Sequence, residues 1–403
     1  MKACLICRGG RNLCGRIVCP IELKANSLIK NFKIINKKEF HGSSPPSIFV
    51  GRMGYPKVHI GPMVPPIIGD TSIMDMPELW INESLEKILE YRYSLIRGMM
   101  EFHVDCVKRG DKIITTLQEI SLGKMPVDME VKLIKEPIPF IKIDDYSQPF
   151  GPSAPLKSFD VFSVKVDYRL EKAYYDWDLR ASEAVFELYR SGVPISSIQK
   201  ALSMGSFGLL KDRKLVPTRW SITAVDSIIS KRLIEDIKGY NSVDKYMVFS
   251  RLYMHNNFMA ILMPGSWCYE WMEGWFPGTY WNRDSHEVAI MGDYEDYWGR
   301  SSYPNIGGCY FAARLAVAEY LKRIKRQAKV LIIREIYPEF PLPLGVWFVR
   351  ENIRAMFNSK PIIFDELNLN YLRNIMRISI ESWIMNSKIL KDELFQRRIS
   401  EFH

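Results

Sequence analysis

Four cysteines lie within the first nineteen residues of this 403-residue chain, and they constrain its N-terminal segment more than any other feature. They are Cys4, Cys7, Cys14 and Cys19. The two residues between the first pair let both sulfurs face one ion, and four thiolates complete the closed tetrahedral shell that zinc prefers. A closed shell has no open position for chemistry, so zinc here would stabilise a fold. The spacing predicts a structural zinc knuckle over residues 1–24, with disulfides or unpaired thiols as the alternative.

The other three cysteines, Cys106, Cys268 and Cys309, are far apart in the sequence. This usage fits a reducing cytosol better than a secreted disulfide scaffold. The N-terminus, MKACLICRGG, lacks the apolar run of a signal peptide. The longest uncharged stretch, Leu252–Tyr269, contains polar residues and a Pro-Gly pair, so we expect it to be core rather than a membrane span. The expected location is therefore cytoplasmic.

Residues 25–394 are expected to form one large core. With 47% hydrophobic and 12% aromatic residues, the chain can bury a substantial interior. Helical and strand-like patterns are interleaved, which predicts an α+β fold with mixed α/β layers, a small N-terminal knuckle and a short C-terminal tail over residues 395–403. The net charge of +9 is compatible with a polyanionic partner, although many basic proteins bind no polyanion.

Hydrophobic periodicity predicts individual elements within this core. Apolar spacing indicates helices over Pro77–Gly98 and Ile195–Ser203. Alternation over Val161–Tyr168 and the short apolar run Gly345–Val349 indicate strands.

The C-terminal tail carries a short pattern with a physical rationale. Gln396, Ile399 and Phe402 are three residues apart, so a 3₁₀ turn places them on one side. A glutamine beside an apolar plug is a good peptide anchor. The tail resembles the PCNA-interacting motif of sliding-clamp clients, which has a glutamine, two spacers, an aliphatic residue, two spacers and an aromatic pair. His403 replaces the second aromatic residue of that motif and offers less apolar area. The alternative is the frayed end of an amphipathic helix.

Several stretches between the two ends are also distinctive. They read GPMVPP, GPSAPL, VPTRWSITAVD and NIGGCYFAARLAVAEYL. Together with the cysteine spacing and the tail, they resemble the archaeal Nre family of DNA repair proteins over essentially the whole chain. The resemblance implies a role in DNA damage repair, zinc ligation by the four N-terminal cysteines and clamp binding by Gln396, Ile399, Phe402 and His403. It implies no established reaction.

A basic loop before a predicted helix is the first candidate site in the core. Arg213, Lys214 and Arg219 surround Trp220, and the helix begins near Ser221. Positive charge, an aromatic plane and a helix N-terminus together suit a phosphate or an unstacked base. The alternative is a surface loop whose tryptophan packs into the core.

Two further candidates come from neighbouring segments. The helix pair within Ala184–Ser203 is compatible with a DNA-binding helix-turn-helix, although such pairs are common in ordinary cores. The segment Gly265–Gly308 combines tryptophans with carboxylates and one histidine, which could bind Mg²⁺ or Mn²⁺ for phosphodiester cleavage. The carboxylates and the histidine are Glu270, Glu273, Asp284, His286, Glu287, Asp293, Glu295 and Asp296. The alternative is an aromatic core with a solvated acidic loop.

These observations support one leading hypothesis and two competitors. The leading hypothesis is a DNA repair protein that reaches DNA through the sliding clamp, with structural zinc and a core that contacts nucleic acid. The competitors are a metal-dependent nuclease or other nucleotide-processing enzyme seated in residues 265–308, and an RNA-binding or adaptor protein without catalysis.

Overall fold

The computed structural model describes residues 7, 19, 21–23, 25–26, 37–138, 150–283 and 285–395. The described residues form two compact units. One comes from Pro20–Ile229, here the N-terminal unit, and the other, the C-terminal unit, comes from Met1–Cys19 and Ser230–His403. Each unit contains one six-stranded sheet with helices around it, so the fold is α+β as predicted.

The sheet of the N-terminal unit has the strand order β1-β5-β6-β4-β3-β2. Its strands are β1 (Glu39–Ser44), β2 (Ile48–Val50), β3 (Lys57–Val64), β4 (Ile96–His103), β5 (Val127–Leu133) and β6 (Ser153–Val161). All neighbours are antiparallel except β4 and β6, which are parallel. Strand β5, with the sequence VDMEVKL, alternates apolar and polar residues, and its apolar positions are the buried ones.

Helices cover this sheet and extend the N-terminal unit. They are α1 (Leu85–Ser94), α2 (Lys112–Ser121), α3 (Tyr168–Tyr175), α4 (Ala181–Arg190), α5 (Ile195–Ser203) and α6 (Thr218–Ile237), the last of which crosses the boundary between units. Helix α2 begins at an N-cap, Asp111, whose carboxylate accepts from the N–H of Ile113 over 2.9 Å. Its apolar face joins the core formed by the strands.

The sheet of the C-terminal unit has the order β10-β9-β11-β8-β7-β12. Its strands are β7 (Tyr246–Tyr253), β8 (Asn256–Met263), β9 (Cys268–Trp275), β10 (Ala289–Glu295), β11 (Lys329–Ile336) and β12 (Ile362–Phe364). Every residue of β8 is buried, because this strand is interior to the sheet and both of its faces are covered. Strands β9 and β11 are parallel, and the remaining neighbours are antiparallel.

Five helices complete the described part of the C-terminal unit. They are α7 (Gly308–Ile324), α8 (Val346–Met356), α9 (Leu369–Ile375), α10 (Ile380–Asn386) and α11 (Lys388–Phe395). Helices α7 and α8 pack against each other, and Arg354 of α8 pairs with Glu319 of α7 at 2.6 Å. No helix in the described ranges has the length and apolar character needed to cross a membrane.

Three predicted elements differ from the structure. Pro77–Gly98 is a 3₁₀ turn, then α1, and then the start of β4. Of the strand predicted at Val161–Tyr168, only the first residue belongs to a strand, because β6 lies upstream over Ser153–Val161 and ends there. Gly345–Val349 is the start of α8 rather than a strand.

Candidate nucleic-acid interface

The basic segment singled out by the sequence lies in the N-terminal unit. It follows a 3₁₀ turn, Leu210–Asp212, and residues 213–217 then run extended to the start of α6. Leu215 is buried in the core, and its N–H donates to the carbonyl of Val104 over 2.8 Å. Lys214 is exposed. The segment is thus fixed to the body of the unit while one of its cations faces solvent.

Arg213 is buried and belongs to the scaffold rather than to the exposed surface. Its guanidinium donates to three backbone carbonyls: Nε to Gly208 over 2.8 Å, Nη1 to Tyr174 over 2.7 Å and Nη2 to Asp176 over 2.9 Å. Burial lowers the pKa of Arg213 from its ordinary value. Because this guanidinium is buried and three of its five N–H donors bind backbone carbonyls, Arg213 offers no exposed charge to a phosphate. Arg213 therefore leaves the predicted set and ties the end of α3 to the loop at Gly208.

Trp220 is exposed and pairs with an aromatic residue that the sequence analysis did not single out. Its ring centroid lies 5.2 Å from that of Tyr55, with the planes tilted by 54°. Trp220 is 46% exposed and Tyr55 is 43% exposed. The turn that carries Tyr55 is held beside α6 because the N–H of Val50 donates to Thr218 Oγ1 over 3.0 Å. Two adjacent aromatic rings therefore offer open surface to solvent.

Exposed cations surround this aromatic pair. We define the aromatic–basic surface as Arg52, Tyr55, Lys57, Lys108, Lys214, Arg219 and Trp220, all of which are exposed. Val104 holds its segments together: its N–H donates to the carbonyl of Pro56 over 3.0 Å, and its carbonyl accepts from Leu215. The turn between β2 and β3, the 3₁₀ helix Val104–Arg109 and the basic segment thus meet at one place.

One carboxylate of this region, Asp105, is partly neutralised by its neighbours. Its oxygens lie 3.2 Å from Lys108 Nζ and 3.4 Å from His103 Nδ1. The hydrogen bond from Lys108 holds the pKa of Asp105 below its ordinary value, and the charges of His103 and Lys214 add to that effect. Asp212 is also exposed nearby. The five cations outweigh these two carboxylates, so the surface is positive overall.

Sequence reasoning found Lys214, Arg219 and Trp220 but missed Tyr55. The sequence feature that could have indicated Tyr55 is the segment Arg52–Lys57, which reads RMGYPK and places a tyrosine between two cations in a Gly-Pro turn. That segment is distant from Trp220 in sequence, so only the fold brings the two rings together.

Models of one known family match most of the chain. A model of the N-terminal part of archaeal Nre proteins matches residues 13–282, and a model of the C-terminal part matches residues 295–402. The chain belongs to the archaeal Nre family. The resemblance expected from the sequence motifs is confirmed.

Curated Nre relatives match at nearly full length. The DNA repair protein NreB of Archaeoglobus fulgidus is 47% identical over 402 residues, covering 99% of both chains. The DNA repair protein NreA of the same organism is 38% identical over 94% of this chain and 95% of its own. The DNA repair protein NreA of Haloferax volcanii is 35% identical over 79% of this chain and 78% of its own. No solved structure matches the chain.

Four carboxylates of the second candidate segment each have a separate structural partner in this Nre protein. Glu270 caps the start of α11 by accepting from the N–H groups of Lys388 and Ile389 at 2.8 and 2.9 Å, and burial raises its pKa. Glu273 pairs with Arg334 at 3.0 Å in the interior. Both carboxylates therefore support packing.

The next two carboxylates follow the same pattern. Asp293 accepts from Arg300 Nη1 and from the N–H of Ile306, both over 2.9 Å. Glu295 pairs with Arg314 at 2.7 Å in the interior. Carboxylates that already bind separate cations and amides do not converge on an ion. Across the described ranges, which omit Asp284, no group of three or more His, Cys, Asp or Glu side chains is placed to hold a metal.

The tryptophans of that segment mostly belong to the core. Three tryptophans are buried, namely Trp267, Trp271 and Trp275. Two are exposed, namely Trp281 and Trp298. The aromatic-core alternative therefore describes this segment better than a base-stacking site does.

The helix pair α4–α5 does not form a DNA-reading helix-turn-helix. In that motif the second helix must present a free face to the major groove. Here eight of the nine residues of α5 are buried. The helix-turn-helix interpretation is therefore wrong.

The two terminal predictions lie largely outside the described residues. Of the predicted zinc ligands, Cys7 is buried and Cys19 is half-buried, while Cys4 and Cys14 lie outside the described residues. Four thiols are a donor set that fits zinc. The clamp-binding residues Gln396, Ile399, Phe402 and His403 also lie outside the described residues, immediately after α11. Both sites stay predictions.

Proposed function

We propose that this Nre family member is a DNA repair protein whose N-terminal unit binds single-stranded DNA at the aromatic–basic surface. The observation that carries the proposal is the exposed pair of Tyr55 and Trp220 among five cations. The names of its relatives, all DNA repair proteins, support the repair role.

The geometry favours a single strand over a duplex. Bases in a duplex are already stacked on each other and offer only their edges, whereas an unstacked base offers a face that an aromatic ring can cover. The cations supply the sequence-independent attraction to the phosphates between such bases. A surface with both components binds strands with little sequence preference and with strong salt dependence.

The salt dependence has a predicted size. Each phosphate neutralised on a single strand contributes about −0.7 to the slope of log K against log salt concentration. If all five cations of the surface contact phosphates, the slope reaches about −3.5. A slope near zero would contradict electrostatic binding at this surface.

The test of the stacking component is Trp220→Ala, measured by fluorescence anisotropy with labelled dT12. Stacking of one base contributes about 1–3 kcal/mol, so the affinity should fall by about 5- to 150-fold. Trp298→Ala is the matched control, because Trp298 is 86% exposed but lies in the C-terminal unit. Equal affinities of both variants and the unaltered protein would refute the proposed site. Much tighter binding of rU12 than of dT12 would favour the RNA-binding alternative.

We also propose that the tail tethers the protein to the sliding clamp. The helix before it is firmly anchored, which supports a tether with a fixed origin. Glu393 of α11 accepts from Lys329 Nζ over 2.8 Å and from Tyr246 Oη over 2.5 Å. Phe395, the last described residue, is exposed. A short peptide starting there places the DNA-binding surface at high effective concentration wherever a clamp encircles DNA.

Two variants separate the anchor from the charge of the tail. Replacing Ile399 and Phe402 with alanine should abolish clamp binding, because both apolar plugs are lost. Replacing the intervening Arg397 and Arg398 with alanine is the control and should retain most of the affinity. Isothermal titration with purified clamp measures the affinity of both variants. If the variant that lacks Ile399 and Phe402 binds the clamp as tightly as the unaltered protein, the tether is refuted.

The four N-terminal cysteines are proposed to bind one structural zinc ion. Metal analysis of the purified protein should find one zinc per chain, and Cys7→Ser or Cys19→Ser should remove it. Cys309→Ser is the control, because Cys309 lies far from the knuckle in sequence. Full zinc content in both knuckle variants would refute this site.

A further inference from the structure

A cavity of about 330 Å³ lies within the N-terminal unit beside the aromatic–basic surface. It is bounded by the start of α4, the end of α5 and the residues that lead into α6. Its deeper walls are mostly apolar: Leu202 and Phe207 are buried, and Val216 is half-buried. The buried Arg213 also lines it, with three of its donors already bound to backbone carbonyls. Its volume falls at the lower end of the range for small-molecule pockets, which are also mostly apolar with a few polar groups.

The rim of the cavity is polar and carries two cations. Arg180, Ser182, Asp212 and Lys214 line it and are exposed. Lys214 is also part of the aromatic–basic surface, so the two sites are continuous. From Lys214 to the start of α6 at Thr218 the chain spans at most about 14 Å.

Glycines and Arg213 hold the cavity in shape. Gly205 has a left-handed φ of 63°, and a Cβ there would lie 2.6 Å from the carbonyl oxygen of Lys214. A Cβ on Gly208 would lie 3.1 Å from Cβ of Ala181. These close approaches require glycine and bring the loop against both the basic segment and α4. The carbonyls bound by Arg213 fix the same loop, so the cavity is preformed.

A segment with an exposed tryptophan is hydrogen-bonded to the residue that follows the cavity wall. The carbonyl of Trp177 accepts from the N–H of Leu210 over 3.0 Å, and Leu209 lines the cavity. Trp177 is 59% exposed.

We propose that this cavity takes one unstacked base of the same single strand, with Arg180 and Lys214 paired to the flanking phosphates. The mostly apolar walls disfavour a phosphate in the interior, whereas the cations at the rim attract one. The group that fits the interior is therefore a flat, uncharged base, with the phosphates on either side of it at the rim. Asp212 accepts hydrogen bonds and Ser182 both donates and accepts, which suits the polar edge of a base. The inference rests on the proposed function, because it extends the strand from the aromatic–basic surface.

The test fills the cavity without changing its charge. Ser182→Trp adds bulk at the exposed rim, and Ser182→Ala is the matched control at the same position. The two strands are dT12 and an abasic deoxyribose-phosphate strand of equal length. We expect Ser182→Trp to bind dT12 about tenfold more weakly than Ser182→Ala, which is the loss of one stacked base, and to bind the abasic strand equally well.

Other outcomes overturn the inference. Equal losses on both strands would mean a general obstruction, and no loss on either strand would mean that no base enters. If Ser182→Trp fails to fold, Arg180→Ala decides: its salt slope on dT12 should be smaller by about 0.7, and an unchanged slope and affinity would refute the site. Trp220→Ala measured in parallel separates the two proposals, since its effect tests the aromatic–basic surface alone.

Discussion

Arg213 provides a sharp test, because the sequence makes it a DNA contact and the structure makes it part of the scaffold. Its three hydrogen bonds to carbonyls have lengths of 2.7–2.9 Å. Hydrogen bonds to a charged group are each worth about 1.5–3 kcal/mol, and truncation leaves the carbonyls to find water. Because Tyr174 and Asp176 are only half-buried, water recovers part of this, and we expect Arg213→Ala to cost about 3–5 kcal/mol.

Arg213→Lys separates charge from geometry. A lysine keeps the positive charge, but its single nitrogen cannot reproduce three diverging donors. Arg213→Lys should therefore lower the free energy of unfolding by a large fraction of the loss expected for Arg213→Ala. Arg219→Ala is the control, since Arg219 is exposed and such surface changes usually stay within about 0.5 kcal/mol.

Urea denaturation of these three variants and of Lys214→Ala measures the free energy of unfolding, and DNA titration across salt measures the contact with phosphates. We expect both Arg213 variants to unfold at lower urea, and Arg213→Lys to retain the salt slope of the unaltered protein. Lys214→Ala should instead lower the slope by about 0.7 with little change in stability. If Arg213→Ala has unaltered stability but a reduced slope, the scaffold role is refuted.

Three further predictions concern the framework. Asp167 caps α3 and pairs with Arg169, and the hydrogen bond to that arginine holds the pKa of Asp167 below its ordinary 3.8. Because the folded pKa is depressed, this stability is present above pH 3.8 and is lost as the pH falls through the folded value. Asp167→Ala should cost about 1–2 kcal/mol at pH 7, and thermal melts should show that gap narrowing below pH 3.8. Glu270→Ala should release the N-terminus of α11 and cost about 2–4 kcal/mol, seen as faster amide exchange in that helix; unchanged exchange would contradict the capping role. Gly61→Ala should prevent the unaltered fold, because a Cβ there would lie 1.7 Å from the carbonyl oxygen of Gly98, and a normal circular dichroism melt would contradict that close approach.

The sequence predicted an element correctly where apolar residues recur at a regular spacing along its whole length. The helix predicted at Ile195–Ser203 has the same bounds as α5, because its apolar residues recur at helical spacing. The run Gly345–Val349 was assigned to a strand and is the start of a helix. Trp347, Phe348 and Val349 are all buried there, and a short apolar run surrounded by core does not distinguish a strand from a helix.

The candidate site was only partly accessible from sequence. Trp220 stood out because a tryptophan among cations is unusual, and the structure places it on the surface. Tyr55 could not be paired with it, since the contact depends on the packing of β2 against the start of α6. Arg213 was misassigned because charge normally indicates exposure, whereas turn carbonyls left unpaired by irregular backbone can bind a buried guanidinium.

The division into two units also had no local signal. The boundary at Ile229 and Ser230 falls inside the continuous helix α6, where no Gly, Pro or polar linker marks it. The family models are instead separated by residues 283–294, which include the end of the β9–β10 connection and most of β10, both within a single sheet. Because one helix is shared by the two units, neither the local composition nor the limits of the family models mark their boundary.

Photocrosslinking tests the central claim most directly. A dT12 strand containing 5-bromodeoxyuridine is irradiated with the full-length protein, and the crosslinked peptides are identified by mass spectrometry. We predict crosslinks at Tyr55 and Trp220. These crosslinks should be lost at high salt, because salt weakens the attraction between the cations and the phosphates of the strand. Crosslinks confined to residues after Ser230, or at Trp298 in place of Trp220, would contradict the central claim.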